Sequence, residues 1–155
     1  MSLKENFYHR AAQLFFERPG RRYTLAEWQA RLARKLEPIL ARAAAPKHEE
    51  RAIRVLRHVI GIERWGQSRL RRLLGGPVVR DEYDGYKPDA GLAAAALRDE
   101  LAATRAATIA IVQQIADAGV ALDATAEHND FGPLTTRGWL AYLNSHATRE
   151  TLVIR

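Results

Sequence analysis

In the stretch NSHATRETLVI, residues 144–154, His146 and Glu150 lie one helical turn apart. On a helical wheel at about 100° per residue, Trp139, Leu143, Ala147, Val153 and Ile154 cluster on one side. Asn144, Ser145, Thr148, Arg149 and Thr151 occupy the other. His146 and Glu150 fall in the middle of the apolar arc. A carboxylate buried alone costs several kcal/mol or takes up a proton, so Glu150 requires a partner. A divalent metal is one such partner, because side chains at i and i+4 share a helix face and can chelate jointly. His58, on the flank of an earlier apolar stripe near Ile62 and Trp65, supplies a third candidate ligand. Two histidines and a carboxylate make an open site of the kind found with non-haem iron and hydrolytic zinc, with positions left for water or substrate. The same spacing also allows a metal-free reading. Glu150 could hydrogen-bond His146, or pair with Arg69 or Arg105, both close to the apolar stripes of their own helices.

These residues need helices to position them, and turn signals divide the chain accordingly. The breaks are RPGRRYT (18–24), AAAPKHE (43–49), GGPVVRDEYDGYKPDAG (75–91) and DAGVALDATAEHNDFGPL (117–134). A short leader over about 4–17 carries Phe7, Ala11, Leu14 and Phe15 on one face and is expected to dock on the bundle through them. The first long helix opens with a capping box, Thr24 and Glu27, and runs along Leu25, Trp28, Leu32, Leu36, Ile39 and Ala43. Pro38 lies inside it and should kink or shorten it. The second, about 48–74, buries Val55, Val59, Ile62, Leu70 and Leu73, and the third, about 92–118, buries Leu97, Leu101, Thr108, Val112 and Ile115. The fourth, about 135–154, starts near the hydroxyls of Thr135 and Thr136. No strand alternation exceeds a few residues. The expected architecture is all-α: a four-helix bundle as a single domain over residues 1–155, with a leader helix and turn in 1–23.

Bulk properties narrow the chemistry. With 155 residues the chain can bury one sizeable core. It has no cysteine, which excludes disulfides, cysteine-ligated zinc, iron–sulfur centres and a thiol nucleophile of its own. No apolar run approaches the roughly 20 residues that span a bilayer, and MSLKENFYHR lacks a signal-peptide core. A cytoplasmic protein without membrane association is the expectation. The formal charge of +6 favours anionic partners in general. Arginine outnumbers lysine and alanine is plentiful, as a GC-rich genome would also produce, so this charge is not read as a nucleic-acid signal. Arg57, Arg64 and Arg71 do form a basic stripe on the second helix, but no nucleic-acid-binding motif accompanies it. Nucleic acid is therefore a disfavoured partner, and a solvated face interleaved with acids accounts for the stripe.

Several segments together resemble DinB/YfiT-like proteins. HVIGIERWGQSRLRRLL is similar to their second helix, DEYDGYKPD to the loop after it, and LRDELAATRAATIAIVQQI, with its internal Arg105, to their third helix. EHNDFGPLTTRGWLAYLNSHATRETLVI resembles their closing segment: a histidine, a Gly-Pro-Leu-Thr lead-in, then a metal-binding helix. The resemblance covers roughly residues 25–154. It implies a bundle of up-down-down-up order, with the 75–91 connection as the crossover, and often a homodimer. It implies a divalent metal, zinc or nickel most commonly, held by one histidine of helix two and two of helix four at H-x3-H spacing. His58 and His146 match the first two positions, and Glu150 stands where the third histidine is expected, which weakens the match for softer metals. Characterised relatives include S-transferases and isomerases that use low-molecular-weight thiols, and proteins proposed to be metal-dependent hydrolases. The resemblance thus implies a small-molecule substrate, with a thiol cosubstrate that suits a chain lacking cysteine.

The remaining candidates surround that site. His128, in the segment before the fourth helix, is a fourth ligand or proton shuttle, or more simply an exposed loop histidine. Tyr83 and Tyr86 line the entrance or anchor their loop by packing. Arg69 receives an anionic substrate group or pairs with Glu150. His9 and His48 read as surface residues, and HEER at 48–51 lacks the second histidine of a metalloprotease motif.

Overall fold

The computed structural model describes residues 3–154. Its helices are α1 (Leu3–Ala12), α2 (Leu25–Ala44), α3 (Glu49–Arg72), α4 (Ala94–Asp117) and α5 (Thr136–Glu150). A two-stranded hairpin, β1 (Thr125–His128) and β2 (Gly132–Thr135), precedes α5. None of these helices is long and apolar enough to cross a membrane.

Side-chain contacts fix the direction of each long helix. Gln29 of α2 reaches the Ile109 carbonyl and Gln113 of α4, while Ile39 and Ala43 cluster with Leu97 and Leu101, so α2 and α4 are antiparallel. In α3, Leu56 and Ile60 pack with Leu97 and Leu101, Gln67 meets Thr104 and Thr108, and Leu70 joins Ile111 and Ile115. The order rises together, so α3 and α4 are parallel. His58 and Trp65 of α3 meet His146 and Trp139 of α5 in reverse order. Up-down-down-up is the resulting order. The crossover that a parallel α3–α4 pair requires is supplied by residues 73–93, with one 3-10 turn, Tyr83–Tyr86.

Local chemistry explains the ends. Thr24 accepts from the Glu27 amide, and the Glu27 carboxylate accepts from the Thr24 amide, the expected capping box. Pro38 does not shorten α2, which runs unbroken to Ala44. Pro38 and Arg34, whose carbonyl it leaves unpaired, are both exposed, so water can take the lost hydrogen bond. The core residues expected of α4 are all buried, but Val55 of α3 and Leu73 just after its end are only half-buried, while Leu56 and Ile60 are fully covered. Wedged between α4 and α5, the middle of α3 is covered on nearly every side, so a single stripe underestimates its core.

The leader departs from expectation. Phe7, Leu14 and Phe15 are exposed, and Ala12, Phe16, Glu17 and Gly20 are buried instead. A π-helical turn, Gln13–Glu17, leads into a last helical turn, Arg18–Gly20, but the docking face is already offset before it, at exposed Phe7 and buried Ala12. What docks is a carboxylate. Glu17 accepts from the Thr135 amide at 2.8 Å and from its hydroxyl at 3.0 and 3.1 Å, at the N-terminus of α5. A Cβ on Gly138 would lie 2.1 Å from Glu17 Oε1, and one on Gly20 2.7 Å from the Arg137 carbonyl oxygen. Both glycines are there for close approach, and the leader thereby locks the start of α5.

Candidate metal centre between α3 and α5

α3 and α5 bring two of the three proposed ligands together. His58 Nε2 and His146 Nε2 are 3.2 Å apart. His146 is buried, and His58 is half-buried with Tyr83 edge-on to its ring at 5.1 Å. Burial, then the neighbouring His58, pushes the His146 imidazole down to about 3. Burial also lowers His58, against the opposing pull of the Glu150 carboxylate. Both rings are therefore neutral at pH 7, and the 3.2 Å contact accommodates a single proton between two nitrogen lone pairs.

Glu150 is half-buried on the same helix, one turn beyond His146, and its charge acts on His58. Among the described residues, no three His, Cys, Asp or Glu side chains converge as a ligand set. The two histidines meet and the carboxylate stands off. Neither proposed arginine partner reaches it. Arg69 Nη2 donates to the Asp81 carbonyl at 3.1 Å and pairs with Asp81 Oδ1 at 3.1 Å, with its guanidinium 4.8 Å over Trp65. Arg105 is wholly buried, pairing with Glu63, whose other contact is the Thr108 hydroxyl.

His128 is the clearest correction. It is 4% exposed rather than on a surface loop, because the segment before α5 is a β-hairpin whose short strand alternates Thr125 out, Ala126 in, Glu127 out, His128 in. Its ring packs among Trp65, Trp139, Phe131 and Tyr142. Nδ1 accepts from the Asp130 and Phe131 amides, which assigns the proton to Nε2, and Nε2 has no partner. Burial drives this imidazole down to about 3, with Arg69 adding to the shift. Tyr142 bridges it to the metal candidates, 4.7 Å from His128 and 5.8 Å from His146 between ring centres, and burial keeps the Tyr142 hydroxyl protonated. The alternation TAEH before the turn residues HNDFG was the sequence signal for this strand.

Tyr83 lies against His58, while Tyr86 donates to Asp81 Oδ2 at 2.6 Å and anchors the crossover. Arg69, with Asn129 and Glu82, ties that crossover to the hairpin. The cavity of about 650 Å³ beside Arg69 and His128 is not lined by His58 or His146. On the basic stripe, Arg57 donates to the Pro88 carbonyl and Arg64 pairs with Glu100, leaving Arg71 exposed. The wheel of α5 is also corrected. Asn144 and Thr151, assigned to the polar side, are buried, and Val153, assigned to the apolar side, is exposed. α5 ends at Glu150, a 3-10 turn follows, and Arg42 of α2 crosses to the Thr151 carbonyl and hydroxyl. Sequence reasoning passed over the buried carboxylates Glu17 and Glu63. Glu63 stands between Val59 and Gln67 at helical spacing, a position that called for a cation on a facing helix.

No curated protein matches the chain, and no solved structure does. The sequence pattern of the DinB superfamily matches residues 31–154. That span takes in all but the start of α2, both histidines and the whole of the hairpin and α5. The chain belongs to the DinB superfamily.

Proposed function

We propose that this bundle is a metal-dependent enzyme, of the thiol-dependent S-transferase or hydrolase kind, whose divalent ion is held by His58, His146 and Glu150. The observation that carries the reading is the 3.2 Å separation of the two Nε2 atoms. Two imidazole nitrogens on one zinc, each at about 2.0–2.1 Å, stand about 3.3–3.4 Å apart at a tetrahedral angle and about 2.9 Å at a right angle. The separation of the two nitrogens therefore suits a shared ion. Both imidazoles are held neutral by burial, the form that binds metal. Glu150 brings the anionic ligand, one helical turn from His146. A cation there supplies acidity, lowering the pKa of a bound water or thiol so that it is nucleophilic at neutral pH.

The protein's own groups do the rest. Tyr83 fixes the His58 ring from the crossover side. Lys87, above the Tyr83 ring, and its ion-pair partner Asp84 act on His58 in opposite directions. Metal analysis of protein purified without a nickel column tests the proposal. About one equivalent of zinc or nickel is expected, lost in His58→Asn and His146→Asn and weakened in Glu150→Gln. Absence of metal even after reconstitution overturns it.

A second reading rests on the same contact. The histidine–histidine hydrogen bond and the lack of a converged third ligand among the described residues favour a metal-free bundle that serves as an interaction module.

A further inference from the structure

The face of α5 turned away from the two histidines is the floor of a different groove, of about 320 Å³. Asn144, Ser145, Thr148 and Arg149 stand on this floor, Arg31 and Lys35 of α2 form one wall, and Arg22 and Phe15 of the leader form the other. Its electrostatics are lopsided. Four cationic side chains, Arg22, Arg31, Lys35 and Arg149, line it, and no carboxylate does. Among the described residues none of the four forms an ion pair, although six other cations of the chain do. Like charges gathered beside low-dielectric protein focus a positive potential that a bound anion relieves.

Arg31 stacks its guanidinium 4.8 Å over Tyr23, which holds this cation in the groove wall. Phe15, 66% exposed, lies at the rim and offers an apolar ring to whatever enters. The larger cavity beside Arg69 lacks this imbalance, since Arg69 is already paired with Asp81 and Glu82 and Glu127 stand in its walls.

We propose that this groove binds a small organic oxyanion, a phosphate ester or a carboxylate. Its charged head lies among Arg22, Arg31, Lys35 and Arg149, and its apolar body rests on Phe15. The volume lies in the range of small-molecule sites, about 300–1,000 Å³, with room for a head group and a ring. Arginine on two facing helices suits the forked recognition of such heads. None of His58, His146 and Glu150 lines the groove.

Phenyl phosphate is the probe, titrated by calorimetry at constant ionic strength with chelator present, so that the metal question does not enter. Saturable binding tighter than that of inorganic phosphate is expected. Arg31→Gln and Arg149→Gln should each weaken it about tenfold or more, and Phe15→Ala should remove the advantage over inorganic phosphate. Arg71→Gln, which deletes the same charge from an exposed position on α3, should leave binding unchanged. Thermal melts confirm that each variant is folded, and Lys35→Gln replaces any that is not. Equal losses in Arg71→Gln, no saturation in the millimolar range, or binding only to phosphatidylserine vesicles without competition by phenyl phosphate would overturn the proposal.

Discussion

α3 carries two buried polar pairs five residues apart, and they are built on opposite principles. Glu63 faces α4, where Arg105 and Thr108 satisfy both of its oxygens. His58 faces α5, where it meets a second base like itself at 3.2 Å. The first pair is complementary in charge, and both Glu63 oxygens find donors, although Arg105 Nη1 is buried without a hydrogen bond. The second joins two nitrogens that can share only one proton, and burial holds both rings neutral. A core gains little from such a contact by itself. Opposed charges with saturated oxygens mark a structural pair, and two identical bases face to face make a contact that charge complementarity does not explain, which is the ground for the metal proposed between them.

Breaking the structural pair should produce the largest effect. Glu63→Gln leaves Arg105 buried with no counter-charge, at a cost of about 3–5 kcal/mol. A fall of about 10 °C in melting temperature follows for a domain of this size. A loss below about 1 kcal/mol in denaturant unfolding would show that the pair is not what holds α3 to α4. His58→Asn should be mild by comparison in metal-free protein, because it strands no charge.

The next largest effect separates buried neutral histidines from paired charges by their response to pH. Burial holds His128 down at about 3, against about 6.5 in an unfolded chain. Its contribution is fully present above pH 6.5 and is lost as pH falls toward 3, because the unfolded chain binds a proton that the folded one refuses. The loss attributable to His128 is roughly 2–4 kcal/mol. In His128→Asn an amide oxygen can replace Nδ1 as acceptor for Asp130 and Phe131, so that variant should be less stable at pH 7 but flatter between pH 6.5 and 3. Parallel curves for the two proteins would contradict the assignment. The smallest effect belongs to Arg64–Glu100, the same kind of ion pair as Glu63–Arg105 but about one-third exposed on each side. Glu100→Gln should cost under about 1 kcal/mol, and a cost near that of Glu63→Gln would erase the distinction drawn from burial.

Much of this was legible in the sequence, and the failures have identifiable causes. The four long helices, the Thr24–Glu27 cap and the core of α4 follow from period and capping chemistry alone. The pairing of His58 with His146 was anticipated because each stood on or beside an apolar stripe. The leader was misread because it docks through Ala12, Phe16 and the Glu17 carboxylate, a face set by the Thr135 amide and hydroxyl and not by its largest apolar side chains. The hairpin was missed because four-residue strands give too little alternation to stand out, and His128 was taken for a surface residue as a consequence. Glu150 was placed in the apolar arc, yet it lies near the last turn of α5, where the chain turns away and leaves it half-buried. The partners of Arg69 and Arg105 depend on which helices are neighbours, information that lies in the crossover and not in either helix.

The most direct test observes the two facing nitrogens themselves. With ¹⁵N-labelled histidine, the imidazole nitrogens of His58 and His146 can be followed as zinc is added. We expect one protonated and one bare Nε2 without metal, and at one equivalent of zinc both signals shifting together as the single Nε2–H is lost. Unchanged signals through an excess of zinc and of nickel would contradict a shared metal, and would leave the pair as a hydrogen bond between α3 and α5.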